Sequence, residues 1–536
     1  MGPGTQDIDC IAEVARQDDP SSSQGSHTWL ALGFLILLSL AGASYPAIRA
    51  FYHFEVNYNE GWNIYNAIAF AHHVPLYGAK YGWTTVNYPA LSFYVLGYLS
   101  RLTHDPLFAG RLLSLVSMAA SCVLVGLFVQ RLTRGLPAAL FAGFYCQGLF
   151  CASAPGYVGA NDPQLFAQVL FLAGLVVYLS RPPGIGTIAA VAVLFALGGN
   201  IKHTLIDFPL AVFLDLWFVS RRRAFQFVLF LGILGGISVW ANTAAGGPFF
   251  VSNLLSGRSY SVVRALLNFA ATNLALIVFL LPVGIWVLKK RQIHLDRLLS
   301  TFFFGSLLVG IVLSGGEGVS MNADFDMFLA ISMIIGVLFH EVTQGRASSF
   351  PSAQKLRAVP IVLVASLILV FLTSGNEPFW RGIRELPQEE ARFDREVSFL
   401  AKQPGPVICE SLLRCYAAGK PYLYDPFNSQ RFMRAGKLDS REIVQKIAQR
   451  EYAAIQVSLP VKSFWDLRAR LPHTVFHPVE YSLIQLGPFA TENERFPEPV
   501  LQAVDAGYEL LVEDPDCDIY VPRKGDAALR GGHVPD

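Results

Sequence analysis

The side chains best suited to chemistry in this 536-residue chain are a few charged groups set between long apolar stretches. Glu60 comes first, within Asn57-Tyr58-Asn59-Glu60-Gly61-Trp62. From Gly61 to His73 the apolar Ile64, Ile68 and Ala71 recur near helical spacing, and Pro75 and Gly78 end the pattern. Glu60 therefore falls at a helix start, where the dipole and free N–H groups favour the ionised carboxylate that accepts a proton or holds a cation. A plain capping role fits the same position. Asp162, in the turn Asn161-Asp162-Pro163, precedes another apolar run, where aspartate caps and proline suits the first helical turn. Lys202 and His203 separate two apolar runs. An ammonium there either snorkels to lipid headgroups or holds a phosphate. Arg258 is a further phosphate candidate, though a surface arginine needs no such explanation. Glu317, Asp324 and Asp326 lie close in sequence and invite a divalent cation, but lack the Asp-x-Asp-x-Asp-Gly spacing of a calcium loop. His72 and His73 point about 100° apart on a helix, which suits interface contact better than joint chelation.

The elements that position these groups are membrane helices. With 53% hydrophobic and only 15% charged residues, and a mean hydropathy of +0.41, the chain is too apolar for a soluble protein of its length. A net charge of +1 gives no reason to expect nucleic acid. Eleven runs are read as transmembrane helices: 28–48, 110–130, 136–153, 163–180, 184–199, 205–220, 224–242, 264–288, 299–314, 325–342 and 358–374. The apolar segment Tyr88 to Leu102 is short and is read as interfacial or re-entrant. Alternate connections carry the basic residues: Arg131 and Arg134, Arg181, Arg221 to Arg223, Lys289 to Arg291, then Arg346, Lys355 and Arg357. By the positive-inside rule these are cytoplasmic, so the N-terminus is inside and the chain after 374 is outside.

Residues 1–27 are polar and are read as a disordered cytoplasmic tail; 28–374 form the transmembrane domain, with an external loop at 49–109. The stretch 376–536 changes character: short apolar runs (Val407-Ile408, Tyr422 to Tyr424, Ala454 to Val457, Tyr508 to Val512, Ile519 to Val521) alternate with helix-like intervals such as Asp439 to Arg450, which predicts an external α/β domain. The seven cysteines include no Cys-x-x-Cys pair, and a disulfide among Cys409, Cys415 and Cys517 is open as to partners. The same alternation sends Glu60, Asp162, Lys202, Arg258 and the 317–326 carboxylates to the outer face. Charges near membrane depth are costly unless paired or bathed in water, so their convergence predicts an outward-facing polar cavity.

Several of these segments carry a resemblance. The acidic residue and glycine after the first apolar span, the Pro-Leu-Tyr at 75–77, the Tyr-Pro-x-Leu at 88–91 and the Arg-Leu-x-Ser at 111–114 resemble the GT-C membrane glycosyltransferases, more narrowly the bacterial branch related to protein O-mannosyltransferases and aminoarabinose transferase. Many relatives have two adjacent acidic residues where this chain has Asn59-Glu60. The resemblance implies a hexosyl or pentosyl transferase of the bacterial plasma membrane. It would take its sugar from a polyprenyl phosphate and pass it, with inversion, to a hydroxyl of a lipid, glycan or protein acceptor. It further implies Glu60 and Asp162 as catalytic carboxylates, Lys202, with His203 and Arg258, at the donor phosphate, and Tyr58, Tyr88, Asn161, Asn322 and Asp324 in the cavity. A divalent cation (Mg, Mn, Ca or Zn) is left open as cofactor. The competing reading is a lipid or solute transporter or flippase with the acidic loops as coupling sites; against it, no internal repeat is visible and the polar groups gather at one face instead of mid-membrane.

Overall fold

The structure, a computed structural model, describes residues 20–270, 273, 294–344, 353–373, 379–458, 495–514 and 517–523. Helix α1 (Pro20–Arg49) leads into a polar loop, then α2 (Asn59–Ala71) and α3 (Leu91–Thr103). The bundle continues through α4 (Pro106–Thr133), α5 (Leu136–Ser153), α6 (Gln164–Ser180), α7 (Ile185–Gly199), α8 (Asp207–Val219), α9 (Arg221–Gly246), the short α10 (Phe250–Leu254), α11 (His294–Ser314), α12 (Phe325–Thr343) and α13 (Ala353–Thr373). Among the described residues, six helices are long and apolar enough to cross a membrane: Thr28–Arg49 of α1, α4, α5, α9, Arg297–Ser314 of α11, and Met321–Thr343, which is α12 with the short 3-10 turn before it. Gln164–Ser180, Ile185–Gly199 and Val359–Leu372 are apolar but shorter. At 13 residues, α8 is about 20 Å long, short of a bilayer core. The expected span at 264–288 lies mostly outside the described residues, as do residues 1–19 of the expected tail and the basic stretch 289–291.

Local chemistry sets several boundaries. Asp105 caps α4 by accepting from the N–H groups of Leu107 and Phe108 at 2.9 and 3.0 Å, and Pro106 occupies the first turn. Helix α12 runs through the centre of the bundle, its residues from Phe325 to Val337 buried without interruption. Aromatic contacts lock it in place, with Phe141 and Phe339 stacked at 4.2 Å and Phe150 edge-on to Phe325 at 5.0 Å. Helix α3, 13 residues long, packs beside α2, with Phe70 and Tyr94 rings 4.0 Å apart.

Beyond the bundle, α14 (Phe379–Ala401) leads to a four-stranded sheet built from β1 (Val407–Cys409), β2 (Ala454–Val457), β3 (Tyr508–Asp514) and β4 (Cys517–Pro522), in the order β1-β2-β4-β3. Strands β1 and β2 are parallel, with Ile408 opposite Ile455, and are joined through α15 (Leu412–Ala417), α16 (Pro426–Arg434) and α17 (Ser440–Ala448). The β4 strand is antiparallel to β2 and β3, and a bulge separates Leu510 from Val512. Helix α18 (Glu498–Gly507) precedes β3. The expected strand at Tyr422 to Tyr424 is irregular. Pro421 starts this stretch, and its rings serve packing instead: Tyr422 stacks on Tyr65 of α2 at 4.9 Å and Tyr424 on Phe496 at 5.2 Å.

Candidate active site

The loop after α1 is folded around one buried ion pair. Glu60, in the first turn of α2 as expected, is fully buried, and so is Arg111 of α4. Arg111 donates Nε to Glu60 Oε1 and Nη2 to Oε2, both at 2.8 Å. Backbone N–H groups supply the rest, Val56 to Oε2 at 2.8 Å and Asn161 to Oε1 at 3.0 Å. Arg111 also donates to the carbonyls of Tyr52 and Phe54, each at 2.5 Å. Burial works against the charge on Glu60, but Arg111 and the two N–H donors outweigh it and hold the carboxyl below its ordinary range. The pair thus ties the first loop, α2, α4 and the Asn161 turn together.

The Asn161 turn is held as tightly. The Asn161 carbonyl accepts from Asn63 Nδ2 at 2.7 Å, and the side chain lies against Gly110, where a Cβ would stand 2.2 Å from the Asn161 amide. Asn161, expected in the cavity wall, is a buried peg. Beside it Asp162 splits its two oxygens: Oδ1 accepts from the N–H of Gln164, the first residue of α6, at 2.9 Å, and Oδ2 accepts from Asn59 Nδ2 at 3.1 Å.

An open cleft with about 620 Å³ of empty space lies where this loop meets the C-terminal region. Glu55, Tyr58, Asn59, Trp62, Asn87 and Tyr88 line one side; Glu410 to Leu412, Asp425 to Asn428, Ser458 and Arg495 line the other, with Arg258 between them. Asp162 and Lys202 are nearly buried, 6% and 7% exposed, and each meets the cleft through a lining side chain: Asp162 through Asn59, and Lys202 through Tyr88, whose hydroxyl accepts from Nζ at 2.7 Å. Burial disfavours the Lys202 ammonium, yet Tyr88 and the nearby Asp162 carboxylate hold its pKa above the ordinary value. The close approach of the two sides depends on Gly61, where a Cβ would lie 2.2 Å from the Leu413 backbone nitrogen.

The remaining sequence candidates divide. Tyr58, Tyr88 and Arg258 line the cleft, whereas the His203 side chain is exposed outside that lining. Asn322 accepts through its carbonyl from Gln164, and Asp324 accepts from Asn273, so neither reaches the cleft. Glu317 pairs with Arg434 at 3.1 Å and Asp326 accepts from Gln168 at 2.6 Å, so the three carboxylates of 317–326 turn to different partners. Among the described residues no group of three or more His, Cys, Asp or Glu side chains is arranged to hold a metal ion. Glu60 spends its lone pairs on N–H donors and position 59 offers an amide, a donor set that does not fit a divalent cation.

Residues that sequence reasoning passed over complete the cleft. Glu410 follows β1 and accepts from Ser458 N at 2.7 Å; burial, partly offset by Arg495, pushes its carboxyl up to about 8. Asp425, buried, caps α16 and accepts from Trp62 Nε1 at 3.0 Å. The Glu410-to-Arg414 segment is closed by a disulfide between Cys409 and Cys415, which settles the open pairing; Cys517 lies buried in the same apolar cluster. Arg111 was visible only as part of a helix-start motif, and Arg495 had no signal at all.

No family model matches the sequence, and neither does any curated protein. Solved structures do. The apo structure of ArnT from Cupriavidus metallidurans superposes with a TM-score of 0.56 at 11% identity, covering 94% of this chain and 98% of that one. This chain has the GT-C fold. The same enzyme bound to undecaprenyl phosphate gives 0.54 at 12% identity, over 94% and 99% of the two chains. The apo oligosaccharyltransferase of Archaeoglobus fulgidus gives 0.51 at 10%, over 94% and 75%. With this fold and its long apolar helices, the chain is an integral membrane protein.

Proposed function

We propose that this protein transfers a sugar from a polyprenyl phosphate to an acceptor hydroxyl on the external face of a bacterial plasma membrane, with inversion. The observation that carries the reading is the placement of a carboxylate and an ammonium, Asp162 and Lys202, each one hydrogen bond behind the lining of the same cleft. Their companions Asn59 and Tyr88 form the wall between them and the substrate space. A lipid phosphate entering from the bilayer meets Lys202 and Tyr88, and Arg258 adds positive charge across the mouth. The acceptor hydroxyl displaces the Asn59 amide from Asp162 Oδ2 and gives its proton to that oxygen. The acceptor oxygen bonds to the anomeric carbon as the bond from that carbon to the phosphate oxygen breaks. The electron pair leaves on the phosphate, where Lys202 stabilises it. Glu60, in this account, positions the loop through Arg111 and takes no proton. No step runs through a metal.

The alternation of basic connections in the sequence supports a C-terminal region on the outer side, over the donor's sugar. ArnT crystallised with undecaprenyl phosphate supports the class of donor, and the same fold disfavours the transporter reading. Glu410 is the rival base, because it faces the cleft directly and its raised pKa suits proton acceptance near neutrality. Purified protein given radiolabelled polyprenyl-phosphate sugars and membrane extract tests the reading. Transfer by the wild type, absent in Asp162→Asn and retained in Glu410→Gln, is expected. Loss in Glu410→Gln with transfer intact in Asp162→Asn moves the base across the cleft, and no donor turnover with any sugar rejects the transferase.

A further inference from the structure

Two carboxylates that the transfer does not use meet inside the bundle. Asp207, the first residue of α8, is fully buried, and Asp326, in the first turn of α12, is 4% exposed. Their carboxyl groups lie within hydrogen-bonding range of each other. Gln168 of α6, also fully buried, donates its Nε2 to Asp326 Oδ1 at 2.6 Å. Apolar rings pack alongside: Phe208, next to Asp207, lies 5.1 Å from Phe171 and 4.6 Å from Phe302. None of the three polar side chains lines the cleft.

The group is short of positive partners. Among the described residues, neither Asp207 oxygen has a hydrogen-bond donor, and Oε1 of the amide that holds Asp326 has none either. No lysine, arginine or histidine among them forms an ion pair with Asp207 or Asp326. The field of Lys202 reaches Asp326, but its Nζ is committed to the Tyr88 hydroxyl. Two carboxylates in contact within an apolar bundle are costly, so something positive completes the set.

That charge is carried by a proton or by a metal ion. A proton shared between the carboxyl groups serves one Asp207 oxygen and leaves the other, and Gln168 Oε1, as acceptors without a donor. Each aspartate also stands in the first turn of its helix, where the dipole attracts negative charge. A cation instead takes oxygen ligands from all three side chains. They supply fewer oxygens than the roughly six to eight of a calcium site, and magnesium demands a near-ideal octahedron. We propose that Asp207, Asp326 and Gln168 Oε1 form a binding site for a sodium ion, which ties the N-terminal ends of α6, α8 and α12 together. The site stands independently of the transfer reading.

Thermal unfolding of the full-length protein in non-ionic detergent reads the site, with sodium chloride exchanged for choline chloride at constant ionic strength. Sodium in the millimolar range should raise the midpoint saturably, and potassium should need at least tenfold more. Asp207→Asn and Asp326→Asn keep the side-chain shape and remove a ligand charge, so each should weaken the sodium response at least tenfold, whereas Glu410→Gln in the cleft should leave it at the wild-type level. Equilibrium dialysis with radioactive sodium should retain one ion per chain in the wild type and lose it in Asp207→Asn, the variant that carries the test if Asp326→Asn does not fold. An equal sodium response in wild type and both asparagine variants overturns the site. A midpoint that rises on acidification in choline and gains nothing further from sodium gives the charge to a proton and overturns it too. Stabilisation by magnesium or calcium at concentrations below those of sodium overturns the choice of ion.

Discussion

Replacing Glu60 by glutamine separates a positioning carboxylate from a catalytic one. The substitution keeps the side chain's size but puts an amide NH2 against Arg111 or against the Val56 or Asn161 N–H, all of which donate to Glu60. Both members of the pair are fully buried, so the variant leaves an uncompensated guanidinium inside the protein. Breaking a buried pair from one side costs about 3–5 kcal/mol. In thermal unfolding of the detergent-purified protein this is a fall of several degrees. Removing the stranded charge as well, in Glu60→Gln with Arg111→Met, should recover part of the loss even though the Tyr52 and Phe54 carbonyls lose their donor. The pH dependence has a defined sign. Because the folded carboxyl lies below its ordinary 4.5, the pair's stabilisation is complete above that value and is lost as the pH falls through the lower folded value. Glu60→Gln should therefore flatten the acid limb of the stability profile. An unfolding midpoint equal to wild type, together with abolished transfer, would refute this reasoning and make Glu60 a participant in the chemistry.

Other outcomes follow from the same geometry. Lys202→Met removes a charged hydrogen-bond donor worth about 1.5–3 kcal/mol, so the apparent donor affinity should fall roughly 10- to 150-fold in a polyprenyl phosphate binding assay, with the fold intact by thermal unfolding. Opening the Cys409–Cys415 disulfide, by reductant or by serine at both positions, frees the segment with Glu410 and Ser411. Loop closure over a sequence separation of 6 predicts a loss near 2 kcal/mol and lower transfer, read by unfolding and by initial rate. Gly61→Ala places a methyl 2.2 Å from the Leu413 nitrogen and should cost about 1–3 kcal/mol while loosening the C-terminal region, seen as faster limited proteolysis after α14.

Much of this fold can be read from local signals. The apolar runs mark the bundle, and the strand-like segments at 407, 454, 508 and 519 all enter one sheet, while α4 starts at Pro106, ahead of the span expected from 110. Tyr422 to Tyr424 misleads because rings packed against α2 have the same composition as a strand. The site is harder to read, since its geometry depends on long-range partners. A glutamate at a helix start looks alike whether it faces water or an arginine 51 positions away, and only the fold brings Arg111 to Glu60. Asp162 and Lys202 could be picked out from their turns, but Asn59 and Tyr88 as their outlets could not. Arg495 is an ordinary basic residue of a polar tail until it meets Phe427.

The most direct test of the account is single-turnover transfer from a polyprenyl-phosphate sugar by Asp162→Asn in protein that unfolds within a degree or two of wild type. The account predicts that the chemical step slows by about 10²–10⁴-fold, the range of a lost general base, while donor affinity stays within a few-fold of wild type. A variant that transfers sugar at the wild-type rate would contradict it, because the carboxylate behind Asn59 would then have no part in the reaction.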